Sequence, residues 1–130
     1  KLNLSDNVFL VGKINGNLKQ KFLESSDVFV MPSYKVNNSI EGFGISYIEA
    51  AAFRIPSIAG LDGGVTDAVI DKKTGWCVDP LNQEKLANVL RDAINNKEQR
   101  QKYGLHAEKN FLQYFLGEKV FRKFMDTISI

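Results

Sequence analysis

The chain has 130 residues, 44% of them apolar and 25% charged, with a net charge of +2. That is one domain's worth of ordinary globular sequence, with room for a single modest core. The small net charge and the lack of any Lys/Arg block exclude an electrostatic case for nucleic acid as a partner. No apolar run is long enough to span a bilayer and no signal peptide is evident, so a cytoplasmic location is expected. The single Cys77 has no second cysteine to pair with, which fits a reducing compartment. The chain opens at Lys1 rather than Met and runs almost directly into an apolar stretch, so a piece of a longer protein is expected.

Residues 8–11, Val-Phe-Leu-Val, are apolar and β-rich and end at Gly12, which predicts a buried strand. Asn15-Gly16-Asn17 can cap a helix over 18–25, with Leu18, Phe22 and Leu23 on one face. Val28-Phe29-Val30-Met31 predicts a second buried strand, stopped by Pro32. A polar loop over 33–42 follows, then a helix over 43–53, a strand over 57–60 and a Gly63-Gly64 turn. A short helix over 66–70 leads to a strand over 75–78. Asn82 closes a start signal for a helix over 83–95, where Leu86, Val89, Leu90, Ala93 and Ile94 form a stripe. Two more helices are expected over 97–113 and 117–128. Strands alternating with helices predict an α/β fold, a parallel sheet with helices on both faces. Ligands of such sheets bind outside the C-terminal strand ends. Gly12-Lys13, Ser33-Tyr34 and Gly63-Gly64 each follow a predicted strand there.

The segment Glu41-Gly42-Phe43-Gly44-Ile45-Ser46-Tyr47-Ile48-Glu49 joins two carboxylates to a glycine turn at a helix start. Free N–H groups at such a start favour anions such as phosphate. An ionised carboxylate only accepts hydrogen bonds, which suits hydroxyl-rich ligands. Phosphate together with hydroxyls describes a nucleotide sugar.

This segment, the stretches 8–12 and 26–33 before it, and Glu49-Ala50-Ala51-Ala52, Ile55-Pro56-Ser57-Ile58-Ala59, Gly63-Gly64 and Thr74-Gly75 after it stand in a telling order. The chain from about Val8 to about Met125 resembles the C-terminal, donor-binding domain of GT-B glycosyltransferases of the glycosyl transferases group 1 family (GT4). Glu41 and Glu49 fall where that family has two glutamates with seven residues between. The resemblance implies a Rossmann-like half of a GT-B fold, the N-terminal acceptor domain being absent. It also implies a retaining transfer from a nucleotide sugar to a glycan or lipid-linked acceptor, in cell-surface polysaccharide or lipid-linked glycan synthesis. The full-length protein would then lie in the cytoplasm or at the inner membrane face.

By the same resemblance, Glu41 is the catalytic carboxylate near the transferred sugar, stabilising positive charge at the glycosyl centre. Glu49 accepts from the ribose hydroxyls. Phe43, Gly44 and Ile45 present backbone N–H groups to the diphosphate and sugar. Gly12, Lys13, Ile14 and Ser33 border the base and phosphates, and Gly63 and Gly64 shape the crevice. Taken without the resemblance, Glu49 is a solvated helix glutamate, Glu41 a loop carboxylate favoured by the helix dipole and Lys13 a solvated loop cation. The family often has Glu after the glycine pair, where this chain has Thr66-Asp67. His106 is expected at the surface and Cys77 buried in a strand.

There is no Asp-X-Asp and no Cys/His cluster of zinc spacing, so neither metal nor other cofactor is implied. The family's upstream Arg/Lys pair, which clamps the diphosphate, lies before this chain begins, and the isolated piece is expected to be inactive. Val120, Phe121, Phe124, Met125 and Ile128 make an apolar face on the last expected helix, through which self-association is expected. Two other readings stay open: a non-enzymatic nucleotide-sugar-binding or scaffold module, and a nucleotide-sugar epimerase of GT-B shape.

Overall fold

The computed structural model describes residues 4–35 and 44–119. Three short strands form a parallel sheet: β1 Phe29–Met31, β2 Ser57–Ala59 and β3 Gly75–Cys77, adjacent in that order. Val30 lies opposite Ile58, and Ile58 opposite Trp76. Helix α1, Gly16–Glu24, precedes β1. Helices α2 (Ile45–Ala52) and α3 (Val65–Ala68) fill the two crossovers. Parallel neighbours require such crossovers, because a tight hairpin would reverse the chain. Helices α4 (Gln83–Asn95) and α5 (Lys97–Asn110) follow β3, and α5 runs on into a π-helical turn, Phe111–Phe115.

Alternation along the strands splits the core in two. Phe29, Met31, Ala59 and Cys77 pack with Tyr47, Val65, Ala68 and Val69 on the α2–α3 side. Val28, Ile58, Trp76 and Val78 pack with Leu86, Val89, Leu90, Ala93 and Tyr103 on the α4–α5 side. The Trp76 and Tyr103 rings lie 4.9 Å apart. A third cluster, Leu23, Ala50 and Ile55 with Phe29 and Phe53, ties α1 to α2. Asn15 and Asn82 cap α1 and α4 with their side-chain oxygens, as the sequence predicts.

Three expectations are corrected. Residues 8–11 are not a buried strand: they join no strand among the described residues, and Phe9 and Leu10 are 74% and 97% exposed. A strand exists only against a neighbour that takes up its N–H and C=O groups. On α1 only Leu23 is buried, while Leu18 and Phe22 face solvent. On α4, Ile94 falls off the buried stripe and is exposed. Among the described residues no helix is long and apolar enough to cross a membrane. The expected helix over 117–128 is helical at 117–119, and its apolar face from Val120 onward lies outside the described residues.

Candidate functional site at the C-terminal edge of the sheet

The C-terminal ends of β1 and β2 feed two loops that touch. Gly60 follows β2 directly, and a Cβ built on it would stand 1.9 Å from the Ser33 carbonyl oxygen. Only glycine allows that approach. Beside it, the Lys35 backbone N–H donates to Asp62 Oδ2 at 2.9 Å, fastening loop 33–35 to loop 60–62. The Ser33 N–H donates to the Met31 carbonyl at 2.8 Å. The Ser33 Oγ is buried and has no hydrogen-bond partner among the described residues. Such groups are rare in folded proteins, so this hydroxyl is an unmet polar group at the strand end.

Gly44 opens α2 from the left-handed region, at φ +73. A Cβ there would meet the Tyr47 ring at 2.4 Å. Tyr47 is the anchor of the helix start. It is 1% exposed, its hydroxyl donates to the Met31 carbonyl, and its ring meets Phe29 edge-on at 5.8 Å. The first turn of α2 is thereby held over the end of β1. The Tyr47 N–H donates to the Gly44 carbonyl at 2.9 Å, and Gly44 offers no side chain to cap the Ile45 and Ser46 N–H groups ahead of it. Ile45 beside them is 72% exposed.

Glu49 sits one turn further on, half-buried. Its Oε1 is paired with the Lys19 ammonium at 2.6 Å. A cleft of about 400 Å³ between α1, α2 and the π-helical turn runs alongside, lined by Lys19, Leu23, Ile48, Glu49, Phe53 and Phe111 among others.

Of the sequence-predicted residues, Ser33 lies in the loop after β1, and Gly44, Ile45 and Glu49 lie at the N-cap and in the body of α2, whose start is tied to β1 by the Tyr47 hydroxyl. Gly63 has φ +71, and Gly64 starts α3. Gly12 (φ +65) and Lys13 are exposed and Ile14 is half-buried; no hydrogen bond among the described residues joins 12–14 to loops 33–35 or 60–64. Glu41, Gly42 and Phe43 lie outside the described residues. Sequence reasoning missed Lys19, Gly60 and Asp62, and passed over Tyr47 within the motif. Gly60 alone left a signal, a glycine directly after a strand.

Elsewhere, His106 is half-buried, with Nδ1 3.2 Å from the Lys73 carbonyl oxygen. Cys77 is half-buried rather than buried, its Sγ 3.4 Å from the Val69 carbonyl oxygen. Burial, and secondarily the Asp71 carboxylate, push its thiol from 9.0 up to about 11. Asp67 is exposed on α3. No group of three or more His, Cys, Asp or Glu among the described residues could hold a metal ion.

A family model described as "Glycosyl transferases group 1" matches residues 1–110. The GDP-mannose-dependent monoacylated alpha-(1-6)-phosphatidylinositol monomannoside mannosyltransferase of Corynebacterium glutamicum is 29% identical over 124 residues, covering 91% of this chain and 32% of that protein. Sucrose-phosphate synthase from Thermosynechococcus elongatus superposes with a TM-score of 0.79 at 27% identity, over 96% of this chain and 32% of that one. The G117R mutant of Staphylococcus aureus TarM, solved in complex with fondaparinux, alpha-GlcNAc-glycerol and UDP, superposes with a TM-score of 0.80 at 26% identity, over 98% of this chain and 25% of that one. The chain spans a third or less of the length of these relatives.

Proposed function

The chain belongs to the glycosyl transferases group 1 family, and we propose that it is the donor-binding half of a glycosyltransferase that moves a sugar from a nucleotide sugar to a glycan or lipid-linked acceptor. Its parallel sheet with helices on both faces is the Rossmann-like unit of a GT-B fold. The observation that carries the reading is the start of α2: a helix N-terminus at the strand ends whose Gly44 N-cap has no capping side chain, with a half-buried carboxylate one turn along it. The first attracts a diphosphate and the second accepts from ribose hydroxyls. In this reading the crevice takes the nucleotide between α2 and the loops 12–14, 33–35 and 60–64.

In this reading Glu41 is the carboxylate that serves the transferred sugar. The C1–oxygen bond to the diphosphate breaks as the acceptor oxygen bonds to C1, and the acceptor proton passes to the departing phosphate. Configuration is retained because both events occur on one face. Glu41 stabilises the cation-like sugar, and positioning of donor and acceptor supplies much of the acceleration. The site is taken to act without a bound cofactor or metal. The acceptor wall belongs to a part of the parent outside this chain, so the isolated chain turns nothing over.

The test is sugar transfer by the full-length parent carrying Glu49→Gln or Glu41→Gln. A lost charged hydrogen bond is worth about 1.5–3 kcal/mol, so Glu49→Gln should raise the KM for donor roughly tenfold to a hundredfold. Glu41→Gln should lower kcat instead. A donor KM unchanged within twofold in Glu49→Gln overturns the assignment.

A further inference from the structure

The ion pair between Lys19 and Glu49 has no part in the reading above, and it is an odd feature for a surface. It spans 30 residues of chain and joins α1 to α2 at 2.6 Å. The two side chains are 47% and 34% exposed. Ion pairs that open to solvent contribute little to stability. Its geometry is imposed from below. Leu23 lies one turn beyond Lys19 on the same face of α1, and Ala50 directly follows Glu49 on α2. Leu23 and Ala50 share one buried cluster. The Asn15 cap fixes the start of α1, with Asn15 Oδ1 2.9 Å from the Leu18 N–H. The two backbones that carry the pair are therefore locked, and the ammonium is delivered to one carboxylate oxygen.

We propose that Lys19 is a positioning residue: it holds Glu49 through Oε1 so that Oε2 is presented to a ribose diol. The inference rests on the donor-site reading and names what makes that site selective. A glutamate free on a helix surface samples several rotamers and loses that freedom on binding. With Oε1 engaged by Lys19, the freedom is already spent and Oε2 keeps both lone pairs. Pre-ordering of this kind raises affinity without a new contact to the ligand. Lys19 thus acts through Glu49, and its effect requires ligand hydroxyls.

The experiment is calorimetric titration of the chain with UDP, GDP and ADP, then with the 2′,3′-dideoxy form of whichever binds tightest. Wild type, Lys19→Met, Lys19→Arg, Glu49→Gln and the Lys19→Met/Glu49→Gln double variant are compared. Lys19→Met should weaken the ribonucleotide about threefold to fivefold, the upper part of the scale of one solvent-open ion pair. It should leave the dideoxynucleotide within twofold. Lys19→Arg should bind as wild type does. In the Glu49→Gln background, Lys19→Met should change nothing. Equal weakening of both nucleotides by Lys19→Met, or a loss that persists in the double variant, overturns the proposal, because Lys19 then touches the ligand itself. If wild type does not distinguish the two nucleotides, or Glu49→Gln is silent, the donor-site reading fails first and takes this inference with it.

Discussion

Replacing Gly60 by alanine asks whether the two strand-end loops are as close as described. The added Cβ would stand 1.9 Å from the Ser33 carbonyl oxygen, and ordinary contact begins at 3.4 Å. The obstacle is backbone, so no side chain can rotate away. Loop 33–35 must retreat by about 1.5 Å, the difference between those two distances. That retreat breaks the bond from the Lys35 N–H to Asp62. Overpacking of this kind costs about 1–3 kcal/mol, and the lost hydrogen bond about 1 kcal/mol more. Urea unfolding followed by circular dichroism reads the sum. With a slope of about 2 kcal/mol per molar, the midpoint should fall by about 1–2 M. Gly16→Ala is the control, since nothing lies within 4 Å of its Cβ and its φ is not positive. It should be neutral, or more stable by up to about 1 kcal/mol. Gly60→Ala within about 0.5 kcal/mol of wild type, or Gly16→Ala equally harmful, would refute the reasoning.

Tyr47→Phe should lose about 0.5–1.5 kcal/mol, the worth of one hydrogen bond, since the Met31 carbonyl keeps the Ser33 N–H; an unchanged urea midpoint would count against Tyr47 as the anchor of α2. Gly44→Ala meets the same ring at 2.4 Å and at positive φ, and should cost about 2–4 kcal/mol by the same urea unfolding; a midpoint unchanged from wild type would refute that contact. The folded state keeps the Cys77 proton up to about pH 11, against 9.0 for the ordinary thiol. Its contribution is therefore complete below pH 9.0 and is lost as pH rises towards 11. Half-exposure and solvent screening limit the loss to about 1 kcal/mol. Urea midpoints at about pH 8 and about pH 10.5 should diverge more in wild type than in Cys77→Ala, and parallel behaviour would dismiss the effect. The isolated chain should transfer no sugar from UDP-, GDP- or ADP-sugars to any acceptor tried; turnover would show that the second wall is dispensable.

What the sequence disclosed was local. Asn82 before an apolar stripe marks α4 at its true start, and Pro32 ends β1 within a residue of its stop. The order of strands and helices gathers the candidate residues at one sheet edge. What stayed hidden depends on partners distant in the chain. Residues 8–11 have a strand's composition, but no neighbouring strand among the described residues. Lys19 looks like any solvated helix lysine until Glu49, 30 residues on, is found beside it. Tyr47 looks like one more apolar position, yet its hydroxyl answers a carbonyl 16 residues back. Asp62 is an ordinary loop aspartate except for the Lys35 N–H it receives.

The central claim is that a nucleoside diphosphate lodges between the start of α2 and the strand-end loops. Amide chemical shifts of the isotopically labelled chain, titrated with UDP, GDP and ADP, test it residue by residue. The account predicts shifts at Ser33, Gly44, Ile45, Glu49 and in loop 60–64 for one base above the others, much weakened in Glu49→Ala. Silence at millimolar ligand, or shifts confined to α4 and α5, would contradict it.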